Sequence, residues 1–168
     1  MTFQPFQGVT GSLPGERDFD PHVGDLDARV AWGNFGGLTL AEAFHKFQKS
    51  PDEYQEDFMY MGGKAFAYYF PVLERYLMVT PVWYEDDGIV WCQILGLGEA
   101  IQFHFSEKCL PEVQELVPRV LALIEHVKEA VDVSAHSKHP YYSDPEIYEH
   151  VIEEWEKLEQ HLGQFGSG

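Results

Sequence analysis

Apolar residues recur at the three- and four-residue spacing of an α-helix over most of this chain, and this spacing constrains the fold more than any other feature of the sequence. Several of these segments begin with Ser/Thr-x-x-Glu, the pattern of a capping box, in which each side chain accepts a hydrogen bond from the other residue's backbone N–H. The boxes are Thr39 with Glu42, Ser50 with Glu53, and Ser143 with Glu146. We therefore predict a mainly α fold, an irregular helical bundle in a single domain.

The apolar positions also predict which face of each helix is buried. The predicted faces are Leu40, Phe44 and Phe47; Tyr54 and Phe58; Phe66, Phe70, Leu73 and Leu77; Val113, Leu116, Val120, Ile124, Val127 and Val131; and Ile147, Val151, Trp155, Leu158 and Leu162, ending at Gly163. Pro71 and Pro118 fall within two of these segments. Because proline removes an intrahelical hydrogen bond and crowds the preceding turn, we expect a bend at each.

Residues 88–105 are compatible with two structures. A helical face is formed by Val90, Ile94, Leu97 and Ile101. Gly96, Gly98 and the β-branched residues of the segment instead favour strands. We predict a helix, and the alternative is an α+β fold with a small sheet around residues 82–105.

Residues 1–37 contain seven glycines and three prolines, with aromatic residues at no helical period. This composition predicts an extended arm packed on the helical domain of residues 38–163, which a flexible tail of residues 164–168 follows. The side chains expected to pin the arm to the core are Phe3, Phe6, Phe19, Trp32 and Phe35. The core should be large, because the chain carries twelve phenylalanines, nine tyrosines and four tryptophans.

The chain is strongly acidic, with 28 Asp and Glu against 11 Lys and Arg and a net charge of −17. Phosphate backbones and anionic lipid surfaces are bound through clustered basic residues, so direct binding to nucleic acid or membrane is disfavoured. The longest apolar stretch, residues 65–73, is about half of the roughly 20 residues that a membrane helix needs. Since the first residues also lack the features of a signal peptide, we expect a cytoplasmic protein.

An acidic surface attracts a basic protein partner, and two acidic clusters are candidates for its binding site. The candidate residues are Asp52, Glu53, Glu56 and Asp57 on a short helix, and Glu85, Asp86 and Asp87 at a turn. A helix displays several of the first four together. The alternative is that these charges cap helices and keep an aromatic-rich chain in solution.

Catalytic motifs are absent from the sequence: it has no GxSxG, HExxH or GxxxxGK[ST]. His136 and His139 form an HxxH pair without convincing further zinc ligands, and Cys92 and Cys109 predict buried, reduced thiols. His104, between two phenylalanines, is interpreted as a hydrogen-bonded histidine beside the core. We therefore expect no catalytic residues, no metal and no cofactor, and a protein that is not an enzyme.

One block resembles a small bacterial family of unknown function. It is Tyr60-Met61-Gly62-Gly63-Lys64-Ala65-Phe66-Ala67-Tyr68-Tyr69-Phe70-Pro71-Val72-Leu73. The resemblance implies a bacterial, intracellular protein and no assigned chemistry. In charge and size the chain is also similar to acidic immunity proteins that neutralise basic toxin domains.

Three functional hypotheses follow from these observations. The first is an acidic protein-binding module, such as an immunity or inhibitor protein that neutralises a basic partner. The alternatives are a small metal-dependent hydrolase or other enzyme of unknown substrate, and a structural subunit. The first is favoured because it uses the most extreme property of the sequence, its negative charge.

Overall fold

The computed structural model describes residue 6 and residues 11–79, 89–105, 110–135 and 145–165, and every regular element in these ranges is helical. The elements are α1 (Glu16–Phe19), α2 (Leu26–Phe35), α3 (Leu40–Lys49), α4 (Pro51–Tyr60), α5 (Gly63–Val79), α6 (Ile89–His104), α7 (Leu110–Val113), a 3-10 turn (Gln114–Leu116), α8 (Val117–Ala135) and α9 (Pro145–Gly163). The prediction of a mainly α fold is therefore confirmed.

Residues 89–104 form helix α6, as predicted, and the described residues contain no sheet. The two glycines that favoured a strand lie where other helices come close to α6. A Cβ on Gly96 would lie 2.8 Å from Oε1 of Gln55 in α4, and one on Gly98 would lie 3.3 Å from the Trp155 ring in α9. Their small size thus allows the close packing of α4 and α9 on α6.

The N-terminal segment is more regular than predicted. The interpretation of residues 1–37 as an extended arm is wrong over α1 and α2, which are helical. Asp25 begins α2, because its Oδ1 accepts hydrogen bonds from the backbone N–H groups of Asp27 (2.9 Å) and Ala28 (3.1 Å). This cap follows a turn that contains glycine. The helical pattern of α2 is short and is flanked by residues typical of loops, so the sequence did not indicate a helix here.

Aromatic side chains attach the N-terminal segment to the core, as predicted. Phe19 and Phe35 are fully buried and Trp32 is partly buried, while Phe6 packs edge-on against Phe44 at 6.0 Å between ring centroids. Phe3 lies outside the described residues.

Glycine at position 62 allows the N-terminal segment to contact α5 through its backbone. The N–H of Gly62 donates to the carbonyl of Phe19 (2.8 Å), and any Cβ there would collide with the carbonyl oxygen of Asp18.

Only one of the two predicted capping boxes in the described residues forms. Thr39 and Glu42 make both bonds, with distances of 2.8 Å from Thr39 N to Glu42 Oε2 and 3.3 Å from Glu42 N to Thr39 Oγ1. The box at Ser50 is wrong, because its side chain makes no cap hydrogen bond. Ser50 ends α3 as well as beginning α4, and its carbonyl already accepts the N–H of Glu53 (3.0 Å). The box at Ser143 lies outside the described residues.

The two prolines have different positions. Pro118 lies in the first turn of α8, directly after the 3-10 turn, so the predicted long helix is divided before this proline. Pro71 is buried inside α5, which is assigned as one helix on both sides of it.

The buried side chains of the helices form one continuous core from Phe19 to Leu162. Phe58 is central to its aromatic part, with edge-on contacts to Phe35 (5.1 Å) and Phe47 (5.2 Å). Every predicted face is buried as expected at the positions whose side chains are described, with Tyr54 half-buried at the edge. None of the described helices is long and apolar enough to span a bilayer.

Candidate functional site

The four acidic residues predicted on α4 do not share one environment. Asp52, Glu53 and Glu56 are exposed, whereas Asp57 is buried where α4 packs against α2. The expectation that Asp57 is displayed at the surface is therefore wrong. The other three carboxylates form an exposed acidic edge of α4.

Asp57 joins α4 to α2. Its Oδ2 accepts a hydrogen bond from Asn34 Nδ2 (2.8 Å), and Lys46 Nζ donates to the Asn34 carbonyl (2.7 Å). Burial raises the pKa of Asp57, while the Asn34 hydrogen bond and the charge of Lys46 oppose this rise. A carboxylate held in this way stabilises the fold and is not available to a partner.

The second predicted acidic cluster, Glu85, Asp86 and Asp87, lies outside the described residues, as do His136, His139 and Cys109. Within the ranges that the structure describes, no three His, Cys, Asp or Glu residues are grouped so that they could hold a metal ion.

A cleft of about 250 Å³ lies along the packed pair α4 and α6, beside the acidic edge. Its walls are Gln55, Glu56, Met59 and Tyr60 from α4, and Gly96 and Glu99 from α6. Both glutamates are exposed, so the mouth of the cleft is negatively charged. A concave surface with charge of one sign focuses the electric field and attracts cations.

Each helix contributes an acid to this cleft and an exposed aromatic ring one turn later. Glu56 is followed by Tyr60 on α4, and Glu99 is followed by Phe103 on α6. Tyr60 is 37% exposed and Phe103 is 49% exposed, and their rings contact each other edge-on with centroids 6.5 Å apart. The helical repeat places residues four apart on the same face, so the acids and the rings form one continuous surface.

The histidine at the end of α6 fixes α6 against α4. His104 Nε2 lies 2.6 Å from the carbonyl of Phe58, one of the last four carbonyls of α4, which lack intrahelical donors. Because a carbonyl only accepts, Nε2 carries the proton. The ring is fully buried and stacks on Phe66 at 3.9 Å. The sequence-based interpretation of His104 as a hydrogen-bonded core residue is confirmed.

A similar contact holds α9 against α6. His161 Nε2 donates to the carbonyl of Phe105, the residue that follows α6, at 2.7 Å. Histidines of α6 and α9 thus bind the carboxyl ends of α4 and α6, respectively. The two helices that form the cleft, α4 and α6, are therefore each held at the carboxyl end by a histidine hydrogen bond.

The amide of Gln55 lies over Gly96 on the wall of the cleft. Its Oε1 is buried and accepts no hydrogen bond from the part of the chain that the structure describes. A buried acceptor without a donor costs free energy.

A second cavity, of about 300 Å³, lies between the N-terminal segment, α5 and α8. It contains two cations, and both are paired with carboxylates. Lys64 lies 3.3 Å from Asp18, and Arg119 makes a bidentate ion pair with Glu74 at 3.0 and 2.6 Å. These ion pairs neutralise the positive charge of the cavity. Its attraction for an anionic ligand is therefore weaker than the attraction of the open α4–α6 cleft for a cation.

Sequence reasoning found Glu56 but missed Gln55, Glu99, Tyr60 and Phe103. A signal for three of them exists in the helical pattern, because Glu56 with Tyr60 and Glu99 with Phe103 share the four-residue spacing. Tyr60 lies in the block of residues 60–73, whose resemblance to bacterial proteins implied no assigned chemistry. The pairing of α4 with α6, which brings the two faces together, is a tertiary contact that the pattern does not contain.

Comparison with known proteins adds no functional assignment: no family model, curated protein or solved structure matches this chain. The resemblance of residues 60–73 to small bacterial proteins therefore stays a prediction. The interpretation of function rests on the geometry and charge of the α4–α6 surface.

Proposed function

We propose that this protein is a binding module whose acidic surface, formed by α4 and α6, docks on a basic protein partner. The observation that carries the proposal is the cleft in which Glu56 and Glu99 lie beside the exposed rings of Tyr60 and Phe103. Exposed aromatic side chains are enriched in protein interfaces, where they supply much of the binding free energy. The carboxylates supply selectivity for positive charge.

The size of the cleft favours a protein partner over a small-molecule substrate. Pockets for drug-sized ligands have volumes of about 300–1,000 Å³ and bury most of the ligand. The α4–α6 cleft has about 250 Å³ and continues onto exposed aromatic rings and the acidic edge of α4. A concave point within a wider surface is typical of a site that receives one side chain of a larger partner.

The test is affinity capture from cells of the source organism, followed by kinetic measurements on the partner recovered. The α4 variant carries Asp52→Lys, Glu53→Lys and Glu56→Lys. A matched control carries Glu129→Lys, Glu149→Lys and Glu153→Lys, which change exposed acids of α8 and α9. Each substitution adds two charges, so both variants move from −17 to −11. Asp57 is left unchanged because it is buried.

We expect a positively charged partner that binds the wild type and the control, with a lower association rate for the α4 variant. Equal weakening of both variants would show that only the total charge matters. A partner that binds the α4 variant as well as the wild type would refute the proposed surface. Circular dichroism verifies that both variants are folded.

Within this class, we further propose an inhibitory role of the kind that immunity proteins have towards basic toxins. The support for this role is the net charge of −17 together with an acidic cleft in position to cover a cationic group. If the captured partner is an enzyme, its activity should fall when this protein is added in equimolar amount. Full activity of a saturated complex would contradict inhibition.

A further inference from the structure

The α4–α6 cleft is more specific than a general acidic surface. We infer that it receives a single arginine side chain of the partner, an inference that rests on the proposed function. Its guanidinium group would lie between the carboxylates of Glu56 and Glu99, while its aliphatic stem contacts Met59 and Tyr60.

The lining of the cleft matches the two parts of an arginine side chain. Arginine carries an apolar stem and a planar group with five N–H donors and no acceptor. The cleft offers an apolar part, Met59 and the Tyr60 ring, and an acceptor part, Glu56 and Glu99.

Arginine fits this lining better than lysine does. A guanidinium donates in several directions in one plane and stacks on aromatic rings, whereas an ammonium is a compact, strongly hydrated charge. The acceptors come from two helices, α4 and α6, so a donor group with a wide planar fork reaches both. The Tyr60 ring supplies the aromatic surface for stacking or for a cation–π contact.

The experiment uses the full chain, labelled with ¹⁵N, and the blocked amino acid N-acetyl-arginine amide as the probe. N-acetyl-citrulline amide is nearly the same shape without the charge, and N-acetyl-lysine amide carries the charge without the planar fork. We expect saturable chemical-shift changes at the Gly96 backbone amide and the Gln55 side-chain amide with arginine, and much smaller changes with the other two. Unchanged cleft resonances with arginine, or equal changes with citrulline or lysine, would overturn the inference.

Gly96→Ala tests the cleft without changing the charge. The added Cβ would lie 2.8 Å from Gln55 Oε1, at the end of a flexible side chain, so this amide can shift at little cost to folding. The added methyl group also narrows the cleft, because Gly96 lines it. Alanine is also the better helix former. The matched control is Gly98→Ala, two residues further along α6, where the added Cβ faces Trp155. We expect Gly96→Ala to lose the arginine-dependent shifts and Gly98→Ala to retain them.

Glu99→Gln is a second variant, at an exposed position of α6. It should weaken the arginine response while leaving the response to citrulline unchanged. Retention of the full arginine response in both Gly96→Ala and Glu99→Gln would overturn the inference.

The captured partner separates this inference from the proposed function. A partner that binds Gly96→Ala as tightly as the wild type, but binds the α4 variant weakly, overturns the arginine inference and leaves the proposed function standing. Weaker binding to Gly96→Ala than to Gly98→Ala supports the arginine inference.

Discussion

At the scale of single residues, His104 connects the stability of the core to the position of the proposed site. Its Nε2–H bonds the end of α4 while its Nδ1 is buried and finds no partner in the described part of the chain. Burial lowers the pKa of His104 from 6.5 to about 4, against the opposing effect of the hydrogen bond to Phe58. The ring is therefore neutral at neutral pH.

This environment predicts a loss of stability as the pH falls. Because the pKa is lower in the folded state, the unfolded chain binds a proton first, and the contribution of His104 is complete only above about pH 6.5 and declines towards about pH 4. We expect this residue to account for about 2 kcal/mol of the decrease in unfolding free energy between about pH 7 and about pH 5. Urea denaturation at the two pH values measures it.

The control is His104→Phe, which keeps a ring of similar size and removes the titrating group. It should be less stable than the wild type at neutral pH, because the Phe58 carbonyl loses its donor, by about 1–3 kcal/mol. Its stability should also depend less on pH than that of the wild type. The same pH dependence in both proteins would show that another group is responsible.

At the scale of helices, the ends of α3 and α4 show how local pattern and chain geometry combine. Thr39 and Ser50 begin two similar sequences, but only Thr39 has the extended backbone (φ −67°, ψ 164°) that directs its hydroxyl to the N–H three residues later. Ser50 has φ −148° and ψ 65°, because α3 ends and α4 begins at this one residue. The same motif therefore forms a cap only where the chain enters the helix from an extended segment.

This difference predicts unequal effects of alanine at the two positions. Thr39→Ala should lower the unfolding free energy by about 1 kcal/mol, because the N–H of Glu42 loses its acceptor. Ser50→Ala should change it by a few tenths of a kcal/mol at most, since the Ser50 side chain makes no cap bond. Thermal or chemical denaturation of the two variants gives the comparison. Similar losses would contradict the assignment of a single box.

Most helices could be predicted from the sequence, because the apolar residues that recur at helical spacing, such as Phe66, Phe70 and Leu73, are also the residues buried in the core. Helix α2 was missed because glycines and polar residues surround it, and its stability comes from the Asp25 cap and from burial of Phe35. The prediction for α6 succeeded on its apolar residues. The reason for its glycines, close contact with α4 and α9, became visible only in the tertiary structure.

At the scale of the whole molecule, charge and shape act over different distances. A net charge of −17 raises the rate of encounter with any basic protein, and salt screens this effect over a Debye length of about 8 Å at physiological ionic strength. The charge does not choose a binding face by itself. We expect the α4–α6 surface to be the binding face, because acids, exposed aromatic rings and a cleft occur together there.

The candidate site could be predicted from the sequence only in part, because it depends on how the helices pack together. The exposed acids of α4 were found from their helical spacing, but the same spacing did not show that Asp57 faces Asn34 in the interior. The contribution of α6 depends on which helix packs beside α4. The apolar pattern of one helix does not show which other helix it packs against.

Hydrogen–deuterium exchange of the protein, alone and in complex with the captured basic partner, tests whether the α4–α6 surface is the binding site. We predict slower exchange on binding in α4 and in the second half of α6, residues 96–104, with no change in α9. Slower exchange in α9 or in α2, without any change in α4 and α6, would contradict the assignment of the α4–α6 surface as the binding site.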